Sequence, residues 1–299
     1  MMQARPGCNG VETTRVVQRV AVLLTCHNRR LLTSRCLGSV FDSARRAGPD
    51  VAVSVFLVDD RCTDGTGDAI RAEFPQVRVI NGTGQLYWCG GMRLAWRHAA
   101  EGDYDAYLWL NDDVKLDEDG LFRMLAVERE QRSAAGGAMI VVGSTRLERR
   151  QEIGASYGGM GPTGVLPPCA TTSRIELFNG NIVLVTREAF AKLGNLSAAY
   201  THGLGDIDYG IRARRAGVPA WLAPGCLGSC AANKVERWRQ PQLSVWQRLR
   251  ELHRPTGCPP WQLATLVWRN GGWWFPWSVA KLYFQAIFPY VPRKQNEQR

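Results

Sequence analysis

Four short apolar runs constrain this chain most, because a helical pattern separates each from the next and three of them end in distinctive polar loops. Val16 to Thr25 (VVQRVAVLLT) reads as a buried strand. The loop CHNRR and an amphipathic helix from Leu31 to Ala47 follow, closed by Gly48-Pro49. Val51 to Val58 is a second strand, broken by Asp59-Asp60, and Asp64-Gly65-Thr66 opens a helix to Glu73 with Asp64 as its cap. Val77 to Ile80 is a third strand, and a helix over Gly90 to Ala100 puts Met92, Ala95, Trp96 and Ala99 on one face. Tyr107 to Leu110 is a fourth strand, ending in Asn111-Asp112-Asp113, and Asp119 to Gln131 is the next helix. Strands that are apolar throughout and alternate with helices predict an α/β fold, a mostly parallel sheet covered on both faces. Ligands of such sheets sit beyond the carboxyl ends of the strands. Cys26-His27-Asn28, Asp59-Asp60 and Asn111-Asp112-Asp113 all fall there.

Beyond residue 136 the rhythm changes. Ala138 to Val142 and Ile175 to Val185 read as strands, separated by the Gly-rich SYGGMGPTG at 156–164, a hairpin or flexible loop. Arg187 to Leu193 and Asp206 to Ala216 read as helices, the second stopped by Gly217. From Pro241 onward, helical segments rich in Trp, Arg and Leu alternate with Gly/Pro breaks.

The 299 residues allow one large α/β domain or two modest ones. The formal charge of +10 is unevenly spread. Residues 1–229 carry 26 basic and 24 acidic side chains, whereas residues 230–299 carry 11 and 3, together with seven of the eleven Trp. A nearly neutral body is followed by a basic, aromatic tail. Nine Cys with no CxxC pair match no zinc pattern and suggest a reduced, cytosolic chain. The polar start, residues 1–15, reads as disordered and has no secretory h-region. The longest apolar approach to a membrane span, Trp273 to Val291, is interrupted by Lys281 and Gln285.

Three constellations carry chemistry. Asn111-Asp112-Asp113 offers hard oxygen ligands of the kind Mg²⁺ takes alongside substrate phosphates; its plain alternative is a solvated turn that caps the next helix. Asp59 in DDRCTDGT is placed to accept hydrogen bonds from a ribose or a base. In GLGDIDYG, Asp208 can pair with Arg212 one turn on, and Asp206 is left as a general-base candidate or an N-cap. Gly84-Gln85 and Gly90-Gly91 either let backbone approach a sugar diphosphate or form a turn before a helix.

Read together, these segments resemble family 2 glycosyltransferases of the GT-A fold over roughly residues 17–235. LLTCHNR, FLVDDRCTDGT, WLNDDV, and FNGNIVLVTREAFAKLGNL with HGLGDIDYGIRARRAG carry the likeness. YWCGGMR is similar to a segment of bacterial rhamnosyltransferase-like members. The resemblance implies a GT-A domain over 16–235, with a nucleotide-sugar half (16–135) and an acceptor half (136–235), followed by a helical tail over 236–299. It implies inverting transfer from a nucleotide-diphospho-sugar, with dTDP-rhamnose ahead of UDP-hexoses, onto a saccharide in cell-surface polysaccharide synthesis. Asp206 would be the base, and Asp113 would be the ligand of Mg²⁺ or Mn²⁺. Donor contacts would come from Thr25, His27, Asn28, Arg29, Asp59, Arg61, Gly84, Gln85, Arg93, Asn111 and Asp112, and acceptor contacts from His202 and Asp208. Lys234 and Arg237 would close over the diphosphate as a lid. The chain departs from the family pattern in four places. Arg61-Cys62 replaces Gly-Ser, the DXD-like segment begins with Asn111, which makes Asp113 the firmer ligand and leaves Asp112 a structural reading, Gly205 stands where many members carry Glu, and GCLGSCAAN lacks the later His.

Tail Trp and Lys/Arg together suit a membrane–water interface and anionic headgroups, or else a helical subdomain packed on the sheet with its Arg solvated. The expected setting is cytoplasmic, peripheral on the inner face of the cell membrane, with a lipid-linked acceptor and no nucleic-acid partner, since no RRM, HTH, KH or zinc pattern is present. The competing readings are a differently acting Rossmann-like enzyme and a non-catalytic saccharide-binding relative. The first would need Gly after the first strand, where CHNRR has none. The second would lack a base.

Overall fold

Residues on β1 (Gln18–Cys26) divide strictly by parity. Val20, Val22, Leu24 and Cys26 pack into one apolar layer, and Ala21 and Leu23 into the other. That two-sided burial is what a continuous apolar run encodes. A computed structural model describes residues 17–147, 155–231 and 236–289. The expected disordered segment 1–15 and Lys234 lie outside the described residues.

The first half alternates as the sequence predicts. After β1 come α1 (Arg30–Ala47), β2 (Val51–Asp59), α2 (Thr66–Glu73), β3 (Arg78–Asn81), α3 (Tyr87–Ala99) and β4 (Ala106–Leu110). A short β5 (Lys115–Leu116) precedes α4 (Gly120–Ala135). The second half contains β6 (Ile140–Leu147), a hairpin of β7 (Gly159–Gly161) and β8 (Gly164–Val165), β9 (Ser173–Ile175), β10 (Leu177–Phe178) and β11 (Ile182–Thr186). It ends with α5 (Arg187–Leu193), α6 (Gly205–Arg215) and β12 (Ala220–Cys230). A single 3-10 turn at Arg237–Arg239 leads into α7 (Val245–His253), α8 (Pro260–Gly271) and α9 (Phe275–Ile287).

The main sheet runs β3-β2-β1-β4-β11-β6-β12-β5, with β9 also on β12. Strands β3, β2, β1 and β4 are parallel, and β12 is parallel to β6, but β11 is antiparallel to both β4 and β6. The sheet is therefore mostly parallel, with an antiparallel strand at its centre.

Four sequence expectations change. The run Ile175 to Val185 is not one strand: it breaks into the end of β9, β10, which pairs with β7 in a separate small sheet, and β11, with Asn179-Gly180-Asn181 outside any strand before β11. Helix α3 starts three residues early, at Tyr87. Strand β12 went unpredicted because Pro224, Gly225 and Gly228 read as breaks; the sheet absorbs them as register shifts after Leu222 and Cys226. Asp64 does not itself occupy the cap of α2. Gly65, at φ 76°, does so, while Asp64 accepts the Thr66 N–H at 3.0 Å.

Helices α1 and α4 cover one face of the sheet and α3 the other, where Trp96 is fully buried against Trp109, Tyr107, Phe190 and Tyr209. Burying an aromatic of this size stabilises the fold by about 2–3 kcal/mol.

Asp60 connects this frame to the edge where the loops gather. It is 4% exposed, and its carboxylate accepts the N–H groups of Gly84 at 2.6 Å, Leu86 at 2.9 Å and Tyr87 at 3.1 Å. One buried charge thus shapes the whole approach to α3. Asp60→Ala leaves three amides without that acceptor and should cost about 3 kcal/mol or more in urea unfolding. Asp60→Asn, which keeps one acceptor oxygen, should cost less. Wild-type stability in the Ala variant would refute this role.

Candidate active site

The loops meet at the carboxyl edge because of the direction of β11. Running antiparallel to β4, it starts where β4 ends, with Ile182 opposite Leu110. Its preceding loop, Asn179-Gly180-Asn181, therefore lies beside Asn111-Asp112-Asp113, and the Asn111 N–H donates to Asn181 O at 3.1 Å. A cavity of about 700 Å³ opens here. It is lined by Trp88, Asn111, Asp113, Gly180, His202 and Asp206, among others.

A relay of side chains fixes the centre. Trp88 Nε1 donates to Asn111 Oδ1 at 2.7 Å. Its indole covers Gly180, where any Cβ would come within 2.5 Å of the ring. The Gly180 N–H donates to Asp206 Oδ2 at 2.9 Å, and the Ile207 N–H to Asp206 Oδ1 at 2.9 Å. Burial holds the Asp206 carboxyl above the usual carboxylate range, against the pull of these two amides. Asp206 sits in the first turn of α6, after Leu204 in the left-handed region at φ 67°.

On the opposite wall, Arg29 Nη1 bridges Asp112 Oδ1 and Asp113 Oδ2, both at 3.1 Å. Asp112 is 6% exposed and its Oδ2 has no hydrogen-bond partner, so burial pushes its carboxyl up to about 6 despite Arg29. Asp113 is more open and faces the cavity. His202 also lines the cavity, edge-on to Tyr87 at 6.4 Å, and the protein around it and the Arg29 charge hold its pKa down.

Of the sequence candidates, Asn111, Asp113, His202, Asp206 and Arg237 line this one cavity. Thr25, His27, Asn28, Arg29, Asp59, Arg61, Gly84 and Gln85 are not among its lining residues. They belong to the adjoining ends of β1, β2 and β3. There His27 Nδ1 pairs with Asp60 O at 2.8 Å, Asn28 Oδ1 accepts the Thr63 N–H at 2.7 Å, and Asp59 Oδ1 accepts the Cys62 N–H at 2.7 Å. Arg61 packs beneath Gly84, and Thr25 packs beneath Gly91 of α3. Among the described residues, four non-glycines have positive φ: Asn28, Arg61, Tyr87 and Leu204. Each lies in or beside a candidate loop, a clustering typical of binding sites.

Three expected contacts are corrected. Asp208 is buried away from the cavity, held by Arg212 Nε at 2.9 Å and the Tyr200 hydroxyl at 3.2 Å, so it anchors α6 and is not free to meet an acceptor. Arg93 points to the Ser197 and Tyr200 carbonyls on the outer side of α3. Asp112 is turned into its ion pair and absent from the cavity wall. Trp88 was missed, although its indole in YWCGGMR was the available signal. Gly180 was missed because its loop was read as strand.

As a cation site, Asp113 and the hard-oxygen surroundings fit an ion that draws its other ligands from phosphate oxygens and water. Among the described residues, the group of three candidate ligands within 4.8 Å of one another is Cys26, Asp59 and Cys62, not a set around Asp113.

Residues 21–194 match the model of the family described as glycosyl transferase family 2, more than half of the chain. An N-acetylglucosaminyl-diphospho-decaprenol L-rhamnosyltransferase, matched in two strains of Mycobacterium tuberculosis, is 29% identical over 196 residues. That match covers 57% of this chain and 63% of the relative, so the chain spans less than two thirds of the curated relatives' length. Mannosyltransferase PcManGT from Pyrobaculum calidifontis, in complex with GDP-Man and Mn2+, shares the fold with a TM-score of 0.55 at 18% identity. The alignment covers 92% of this chain and 77% of that one. The GT-A architecture is therefore present, and the chain belongs to glycosyl transferase family 2.

Proposed function

We propose that this chain is an inverting glycosyltransferase that moves a sugar from a nucleotide-diphospho-sugar onto a saccharide acceptor in cell-surface polysaccharide assembly. dTDP-rhamnose leads as donor and UDP-hexoses follow. The observation that carries this reading is the joining of Asp206 and Asp113 in one cavity through Trp88, Asn111 and Gly180. The nucleotide-sugar half would be residues 16–135 and the acceptor half 136–235. Asp59 and its neighbours at the ends of β1 to β3 would hold the nucleoside, and Arg29 the diphosphate side. Asp113 would hold Mg²⁺ or Mn²⁺, which supplies charge neutralisation at the leaving diphosphate.

The acceptor hydroxyl gives its proton to the Asp206 carboxylate as its oxygen bonds to the anomeric carbon. The bond from that carbon to the diphosphate breaks on the opposite face, which inverts the centre. Holding Asp206 with two backbone amides orients the carboxylate without a competing cation.

We also propose that residues 236–299 meet the membrane surface, where a lipid-linked acceptor would be presented. No helix among the described residues is long and apolar enough to cross a membrane. Yet Trp246 is 81% exposed, Trp277 70%, Trp273 66% and Trp268 62%, although Trp is ordinarily a well-buried residue. On α9, Trp277, Lys281 and Phe284 form one outward stripe, extended by Phe288 just past the helix end, opposite the buried Leu282 and Ala286. Such an aromatic and basic stripe suits an interface-lying helix.

A thermal-shift screen of UDP-, dTDP- and GDP-sugars with Mn²⁺ should single out the donor by its stabilisation. With that donor, Asp206→Asn should lower transfer by about 10²–10⁴-fold while nucleotide affinity holds. Because the Asp206 carboxyl titrates above the usual range and must be ionised to act, the acid limb of the wild-type profile should lie above that of an ordinary carboxylate. Wild-type transfer by Asp206→Asn would remove it as base.

Sedimentation with vesicles tests the surface. Binding to phosphatidylglycerol vesicles should exceed binding to phosphatidylcholine vesicles, and the combined Trp273→Ser, Trp277→Ser and Phe284→Ser protein should lose it. Equal binding by that variant, or concentration-dependent dimerisation through the same face without vesicle binding, would overturn the proposal.

A further inference from the structure

Two thiols face each other at the ends of β1 and β2, outside the cavity that holds Asp113 and Asp206. Cys26 Sγ lies 3.8 Å from Cys62 Sγ, and an oxygen of the Asp59 carboxylate lies within 4.8 Å of both sulfurs. None of the three residues lines that cavity. We infer that Cys26, Cys62 and Asp59 form a site for a thiophilic divalent cation, zinc above all, and that zinc bound there takes Asp59 away from the donor nucleoside. The second half of this inference rests on the nucleotide-sugar reading, and the metal site stands without it.

Strand register builds the pair. Strands β1 and β2 are parallel with Cys26 opposite Asp59, so the two side chains leave the sheet as neighbours. Arg61 then turns the chain in the left-handed region, at φ 57°, and Cys62 comes back over the end of β1. The Cys62 N–H donates to Asp59 Oδ1 at 2.7 Å, and Cys62 Sγ accepts the Asn28 N–H at 3.2 Å. Hydrogen bonds of this kind orient ligands around an ion. The Asp59 carboxylate fits against α2 only because residue 67 is Gly, where any Cβ would collide with Asp59 Oδ2. Cys62 stands where the family pattern has Ser, so the thiol pair is a property of this chain.

The spacing favours a metal over a disulfide. Two thiolates on one tetrahedral zinc, with Zn–S bonds of about 2.3 Å, lie about 3.8 Å apart. That is the separation of these sulfurs. Burial holds the Cys26 thiol well above its usual range and pushes Cys62 up to about 11. Neither is therefore the ready thiolate that oxidants attack first. A metal ion displaces such protons as it binds. Two soft sulfurs beside one carboxylate suit zinc, whereas Mg²⁺ and Mn²⁺ favour oxygen surroundings like those of Asp113. Water would complete the tetrahedron from the side of Cys62, the more exposed thiol. The neighbouring guanidiniums are engaged elsewhere, Arg29 with Asp112 and Asp113, and Arg71 with Asp68 and Asn81.

Metal titration of the full chain, kept under a phosphine reductant, tests the site. Cobalt(II), as the spectroscopic stand-in for zinc, should give an ultraviolet thiolate-to-metal band, and about one equivalent of zinc should bleach it. Cys62→Ser, which restores the family residue, should fold and lose the band, and so should Cys26→Ser. Asp113→Asn should keep it. Zinc should weaken binding of the nucleoside diphosphate that stabilises the chain roughly fivefold or more in the wild type, and little in Cys62→Ser. A band that survives in both Cys variants, or one that disappears with Asp113→Asn, would overturn the site. Zinc uptake that leaves nucleotide affinity unchanged would overturn the competition with the donor. If the wild-type chain binds no nucleoside diphosphate at all, the donor reading falls, while the cobalt band still decides the metal site.

Discussion

The hydrogen bond from Asn111 to Asn181 marks the constraint on which the site depends, the antiparallel return of β11 beside β4. A parallel strand in that place would deliver its start to the far edge of the sheet. Running the other way, β11 brings Gly180 alongside Asn111. Gly180 can then hold Asp206 while Trp88 closes over both. The candidate base and metal ligand come from segments almost a hundred residues apart. One strand direction makes them neighbours of a single cavity. Any side chain at 180 would push on the Trp88 ring, so the absence of a Cβ there is part of the same device.

In the proposed reading, the Arg29 bridge holds the donor side before it is used. Its guanidinium spans a buried carboxylate, Asp112, and an accessible one, Asp113. The two partners are not equivalent. Asp112 is shielded and keeps Arg29 in place, whereas Asp113 is open to exchange with a bound cation. A divalent ion at Asp113 and a diphosphate beside it would leave Arg29 tethered by Asp112 and able to turn its free nitrogens to phosphate oxygens. The left-handed Asn28 and Arg61 keep the neighbouring loops tight around this edge.

Much of this was legible in the sequence because it was local. Continuous apolar runs placed β1 to β4, and the polar strand ends announced the edge. The spacing of Asp208 and Arg212 foretold their pair. What stayed hidden was long-range. The local turn signal in ELFNGNIVLVT, Asn179-Gly180, is easily outweighed by the β-formers that flank it on both sides. Strand β12 hid behind Pro224 and Gly225, which a neighbouring strand tolerates only through a bulge. The resemblance of YWCGGMR put Arg93 among the donor contacts, yet the 197–200 loop supplies carbonyls that take its guanidinium.

The tail's charge also divides by use. Its Arg residues are not all solvated. Arg248 is 5% exposed and donates to the carbonyls of Ala286 at 2.6 Å and Ile287 at 3.0 Å, at the end of α9. A cation at a helix C-terminus meets the negative end of the dipole, so this buried charge is compensated without a carboxylate. Because that polar cap and the small Leu282–Ala286 stripe fix α9, its aromatic residues are not needed in the core. Trp277, Phe284 and Phe288 can remain outside only because something else holds the helix. An outward aromatic stripe on a helix pinned by a buried arginine is therefore free to serve a surface outside the protein. Away from that stripe, the same unit lines the cavity beside Asp113 and Asp206 through Trp238 and Glu251.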